Sequence, residues 1–191
     1  MNVHSKSSKQ RLLDATLELI ATKGLHNSPM AKISERSRVS AGAIYNYFPN
    51  KEALINYLYL DLNKAVIEAI FKEYDHKLSY KKRFIELCKR LLDYFLSHPH
   101  QFSYIEQCSI SPLISSEIRA VNHQCFAPLI EFLNEGINSR FLKNLDVELM
   151  LALLWGSIMS LIKLNLSEGA NISSKQHDVL VRFCWDGLKA N

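Results

Sequence analysis

In the stretch Val-Ser-Ala-Gly-Ala-Ile-Tyr-Asn-Tyr-Phe, residues 39–48, Asn46 carries a carboxamide that can donate to and accept from an adenine edge at once. The methyl groups of Ala41 and Ala43 suit contact with a thymine methyl. Gly42, between them, removes bulk where a helix would have to approach a large flat surface. Tyr45 and Tyr47 offer hydroxyls to phosphate oxygens, Ser28 and Ser40 add two more, and Lys51 adds a cation beside free helix N–H groups. This is the chemistry of gripping and reading a duplex, whereas a helix built to fill a core would carry Leu and Ile at those positions.

Elements of the right size surround these residues. Leu13, Thr16, Leu17 and Ile20 lie on one stripe of a helix over Gln10–Lys23, which Gly24 ends as a left-handed cap. Ser28 as cap and Pro29 at the first helical position start a second helix, with Met30, Ile33 and Ser37 on its inner face, that runs to about Arg38. Ser40 caps a third helix over Ala41–Tyr47, which must stop before Pro49. Ile44 and Phe48 turn inward, while Ala43, Asn46 and Tyr47 share the opposite face with Gly42. Two short helices, a tight turn and a bracing helix have the dimensions of a helix-turn-helix. Charge agrees: residues 1–51 hold eight Lys and Arg against three Asp and Glu, and the remainder is close to neutral, so the first quarter is the part suited to a polyanion.

The stretch from Gly24 to Ile55 resembles the DNA-binding module of the tetracycline-repressor (TetR) family. Gly24, Leu25, Ser28, Ile33, Val39, Ser40, Gly42, Ile44, Tyr45, Tyr47, Phe48, Asn50, Lys51, Glu52 and Leu54 carry the likeness, which covers residues 9–55. Two positions depart from the family pattern: Ser34 stands where Ala is usual, and Arg38 where Gly closes the second helix. Arg38 must therefore take a left-handed or otherwise strained turn at about 1 kcal/mol, or the turn differs slightly from the family's. The resemblance implies an all-α protein with a helix-turn-helix DNA-binding domain over residues 1–50 and a helical effector-binding and dimerisation domain over residues 51–191. It further implies a regulator of transcription, not an enzyme, that represses from a palindromic operator on double-stranded DNA as a homodimer and is released by a small molecule.

The remaining sequence is compatible with that division. With 48% hydrophobic residues and only 6 Gly and 5 Pro among 191, about nine helices and almost no strand are expected. A long fourth helix, capped by Asn50, carries Leu54, Leu58, Leu62, Val66 and Ile70 to about Tyr74, and Phe84 to Phe95 mark a fifth that ends at His98-Pro99. Pro128 must kink or split the helix marked by Ile118, Cys125, Leu129 and Phe132. The last two helices, near Asp146–Leu166 and Ser174–Lys189, are too apolar for a solvated surface, and pairing them with a second copy would make a four-helix bundle. Phe102, Tyr104, Cys108, His123, Phe126, Phe132, Trp155 and Met159 are candidates to line a pocket for an apolar or aromatic effector.

Other functions are weakly supported. His98-Pro99-His100 lacks the i, i+4 spacing of helix-borne metal ligands, no cysteines form a C-x-x-C pair, and no glycine-rich phosphate loop is present. No cofactor or metal is expected. A helical interaction module without DNA, or a metal- or redox-responsive regulator, are the other readings. The polar start and the unpaired cysteines suggest a cytoplasmic protein. The 14 uncharged residues between Glu148 and Lys163 fall short of the roughly 20 that cross a bilayer.

Overall fold

A computed structural model describes residues 6–167 and 173–190. The first residues of the basic arm, and most of the connection expected between the last two helices, lie outside them. The described residues form ten helices: α1 (Ser8–Lys23), α2 (Met30–Ser37), α3 (Ala41–Tyr47), α4 (Lys51–Phe71), α5 (Tyr80–Ser97), α6 (Pro99–Ser109), α7 (Ser116–Cys125), α8 (Ala127–Asn138), α9 (Val147–Ser167) and α10 (Ser174–Leu188). Among the described residues there is no strand, only an isolated bridge between Leu142 and Lys189. The tenth helix arises at Pro128. There α7 ends, Phe126 sits at φ −85° and ψ 0°, and α8 restarts with proline in its first turn, where the missing N–H removes no intrahelical bond.

The chain forms two compact units. One takes residues up to Lys64 together with His98–Asn122, the other Ala65–Ser97 and the chain from His123 onward. In the first unit, Leu12 and Ile20 of α1, Ile33 of α2, Ile44 of α3 and Leu54 of α4 are fully buried against one another's helices, so each apolar stripe read from the sequence faces this core. α6 packs on α1. Its Ser103 hydroxyl donates to the Ala21 carbonyl at 3.1 Å, and its Gln107 amide to the Ile20 carbonyl at 3.1 Å, which also accepts the Gly24 N–H at 2.9 Å, so α6 is tied to the last-turn carbonyls of α1.

Arg38 takes the left-handed conformation, φ 54° and ψ 37°, and the serines around it stabilise the turn. Ser34 Oγ donates to the Val39 carbonyl at 2.6 Å, Ser37 Oγ donates to the Ser34 carbonyl at 3.2 Å, and the Val39 N–H donates to the Ser34 carbonyl at 3.3 Å. Ser34, the first departure from the family pattern, thus helps to hold the second. Arg38→Gly is expected to raise stability by about 0.5–1 kcal/mol, because the left-handed penalty disappears while glycine gives up some of that gain as extra chain entropy. A urea-unfolding midpoint that stays put or falls would refute this.

In the second unit, the Tyr80 ring is stacked between Phe132, at 4.6 Å, and Phe141, at 5.1 Å, and its hydroxyl donates to the Phe132 carbonyl at 3.0 Å. Arg83 lies over the Tyr80, Phe132 and Tyr74 rings, donates to the Tyr74 hydroxyl and pairs in a fork with Glu135 at 2.5 and 2.9 Å. The hydrogen bonds from Arg83 hold the Glu135 carboxyl below its ordinary value of 4.5. A depressed folded-state pKa gives stability that is present above 4.5 and is lost as pH falls through the folded value. Glu135→Gln is therefore expected to cost about 1 kcal/mol at pH 7, discounted because the carboxylate is partly open to solvent. The stability of the variant should also decline less steeply below pH 4.5 than that of the parent, and parallel curves would contradict the assignment.

α9 and α10 each bury one face and leave an apolar one open. Met150, Ile158 and Ile162 of α9 and Val181 and Cys184 of α10 are buried, but Leu149 and Leu153 are 50% exposed, Val179 65% and Phe183 68%. The uncharged run was expected to be too short to span a membrane. The helix continues past Lys163 through Leu164 and Leu166, and Val147–Leu166 is long and apolar enough to do so by length and composition, with 28% of its window buried.

Candidate nucleic-acid interface

α3 is pinned from behind and open in front. Ile44 and Phe48 are buried, and Ser40 Oγ accepts from the Ala43 N–H at 3.3 Å, capping the helix as its sequence requires. Ala41, Gly42, Tyr45, Asn46 and Tyr47 are exposed, and Ala43 is half-buried. A Cβ added at Gly42 would meet nothing within 4 Å. Glycine in a helix costs about 1 kcal/mol relative to alanine, and no neighbour within the chain requires it here.

One expected phosphate contact, Ser28, is corrected by its surroundings, and a second, Lys51, is partly committed within the unit. Ser28 is fully buried and its hydroxyl donates to the Gly24 carbonyl at 2.8 Å; Pro29, not Ser28, is the cap of α2. A hydroxyl shut inside the core cannot reach a phosphate. Lys51 is half-buried and its ammonium donates to the Leu25 carbonyl at 2.7 Å, tying the connection between α1 and α2 to the start of α4. Burial lowers its pKa, and one of its three donors is committed inside the unit. A further group, not singled out in the sequence, is Arg11. Its guanidinium donates to the carbonyls of Ser37 and Lys6 and to the Ser8 hydroxyl. Ser37 is 26 residues away in the chain, so no periodicity could have signalled the contact.

Comparison with known proteins settles the family. Residues 12–58 match the model for bacterial regulatory proteins of the tetR family, and residues 79–189 match the tetracyclin repressor-like C-terminal domain. The chain belongs to the TetR family. It is 27% identical over 152 residues, 78% of each chain, to the fatty acid metabolism regulator protein of Bacillus subtilis. Its fold is similar to a TetR-family transcription regulator from Marinobacter aquaeolei, with a TM-score of 0.88, 21% identity and 96% of each chain covered. It is also similar to the fatty acid degradation regulator FadR from Bacillus halodurans, with a TM-score of 0.78, 16% identity and coverage of 98% and 99%. As a TetR-family member, the protein is a DNA-binding regulator of transcription.

In this TetR-family chain the eight candidate effector residues are shared between the two units. Phe102, Tyr104 and Cys108 are buried in the first unit on α6, where the Tyr104 hydroxyl donates to the Ile55 carbonyl at 3.0 Å. The other five lie in the second unit. His123 is exposed and pairs with Glu148 at 2.9 Å; Phe126 and Trp155 meet edge to face at 5.4 Å, and Met159 is buried. Of the eight, Phe132 lines a small apolar cavity in that unit, with Ile70, Phe84, Leu91, Leu129 and Ile158 among its walls. The cavity offers about 20 Å³, room for about one water. Burial pushes the Cys108 thiol up to about 12 and raises Cys88 and Cys184, so these three do not present thiolates at neutral pH. Among the described residues no group of three or more His, Cys, Asp and Glu is placed to hold a metal ion.

Proposed function

We propose that this regulator is a repressor that grips a palindromic operator as a homodimer, through α3 of each copy, and lets go when an apolar effector opens the second unit. The single observation that carries the DNA side is the α3 face, where Gly42 leaves unclaimed space beside the exposed Asn46. Asn46 reads adenine, Ala41 and Ala43 meet thymine methyls, and Ser40, Tyr45, Tyr47 and the two uncommitted donors of Lys51 hold phosphates. Residues 1–50 form the DNA-binding domain and residues 51–191 serve effector binding and dimerisation. The exposed Leu149, Leu153, Val179 and Phe183 supply the paired face. Two half-sites roughly 34–36 Å apart then fall on successive turns of one side of the duplex.

An aliphatic chain is the effector that the apolar lining favours, and the names of the Bacillus relatives, both concerned with fatty acids, point the same way. Ligand pockets usually enclose 300–1,000 Å³, so the cavity must open to admit one. Opening moves Ile70 on α4, the helix whose first turn belongs to the DNA-binding unit, and DNA affinity falls by the coupling free energy. Selection of bound fragments from genomic DNA by the purified full chain tests this. Inverted repeats with half-sites about 10 base pairs apart are expected, as is a 5- to 150-fold weakening by long-chain fatty acids or their thioesters. The reading fails if no duplex is retained at moderate salt.

A further inference from the structure

The first turn of α1 meets both ends of the recognition helix. From Arg11, Nε donates to the carbonyl of Ser37, the last residue of α2 before the turn into α3, at 3.3 Å, while Nη1 donates to the Lys6 carbonyl at 3.2 Å and Nη2 to Ser8 Oγ at 3.3 Å. Lys9 Nζ stands 4.1 Å from the centre of the Tyr57 ring and 5.8 Å from that of Phe48, the residue that ends α3. One guanidinium therefore fastens the segment before α1 to the entrance of α3, and one ammonium fastens the start of α1 to its exit. Lys6, Lys9 and Arg11 are thereby held at the start of α1, with Asp14 as the acid in contact with Lys6 at 2.6 Å.

We propose that this first turn is a second DNA-contacting element, in which Lys6 and Lys9 neutralise backbone phosphates that flank the bases under α3. The proposal rests on the DNA reading given above and adds an element to it. The Lys6 side chain is 65% exposed and its pair with Asp14 lies on the surface, where such pairs are worth about 0–1 kcal/mol. A phosphate can displace Asp14 at little cost. Lys9 sits on ring faces, which attract it without using any of its hydrogen-bond donors, so its three N–H groups stay available to oxygen acceptors. The backbone anchors made by Arg11 mean that the segment is already placed, and binding does not have to order it first. Such contacts carry charge and no base information, so they set affinity and its salt dependence without altering which sequence is preferred.

The test is the affinity of the full chain for its selected duplex as potassium chloride is varied. Each phosphate contact that is lost lowers the slope of log K against log salt by about 0.9. The double variant Lys6→Ala/Lys9→Ala is expected to lose slope by that amount per contact while ranking operator variants as the parent does. Lys6→Arg/Lys9→Arg is expected to keep the parental slope. If the double alanine variant does not fold, Lys6→Ala alone carries the test, since that exposed side chain touches Asp14 and little else. An unchanged slope in a folded variant overturns the proposal, and so does a reordered sequence preference. If the parent itself shows no salt-dependent duplex binding, the DNA reading fails first and this inference falls with it.

Discussion

Gly42→Glu is expected to weaken operator binding by about 10²–10³-fold and to leave the fold intact. Both halves of that statement come from the same position. Within the chain, a side chain at residue 42 meets open space, and glutamate is the better helix former by several tenths of a kcal/mol. Thermal unfolding should then be unchanged or slightly later. Against a duplex, the added carboxylate enters the space that lets α3 approach the bases, and it faces phosphates of its own sign. Juxtaposed like charges at an interface cost several kcal/mol, and each 1.4 kcal/mol is tenfold. Gly42→Ala should fall between, since a methyl brings bulk without charge. Fluorescence anisotropy with a labelled operator, beside a melting curve, reads both quantities. Affinity within threefold of the parent in a folded Gly42→Glu chain would remove α3 from the interface.

The second large effect is on stability. A Cβ at Gly136 would overlap the Tyr80 hydroxyl and its ring carbon, and would come within 2.8 Å of Leu142 Cδ1. A lone flexible side chain could move aside, but Tyr80 is stacked on Phe132 and Phe141 and its hydroxyl is committed to the Phe132 carbonyl. Overpacking of this kind costs about 1–3 kcal/mol, and a broken buried hydrogen bond adds about 1 kcal/mol. Alanine's helix preference returns up to about 1 kcal/mol. The net loss for Gly136→Ala is about 2 kcal/mol, a fall in Tm of about 4–8 °C for a chain of this size. Tyr80→Phe in the same chain takes away one of the clashing atoms, so the double variant should lose less than the sum of the two single changes. A Gly136→Ala melt within a degree of the parent would show that the stack yields more easily than its geometry implies.

Local rules made much of the fold legible. The break at Pro128, the extent of α3 and its inward Ile44 and Phe48 all follow from the conformational limits of single residues or from helical periodicity, and the structure has each of them; the left-handed Arg38 was legible only through the family resemblance, which puts Gly there. What could not be read were pairings between distant parts of the chain. Ser28 with Pro29 has the form of a cap, and only the packed unit shows the hydroxyl turned to Gly24. Lys51 and Arg11 are spent in part on carbonyls 26 residues away. The effector candidates on α6 stand out in the sequence only as aromatic or polar groups. That α6 lies on α1 depends on contacts such as Gln107 with Ile20, 87 residues apart, which no composition or spacing encodes.

The boundary between the two units falls inside α4, after Lys64, with helical residues on both sides. The next crossing, from α5 to α6, has only His98 between helices. The third, between Asn122 and His123, lies inside α7. Proteases need several residues of unfolded chain to engage a peptide bond, and none of the three crossings offers them. Limited digestion should nick the protein elsewhere, and a chimaera that exchanges one unit for a relative's has to be spliced within helical turns, in phase, with no linker to absorb an error in length.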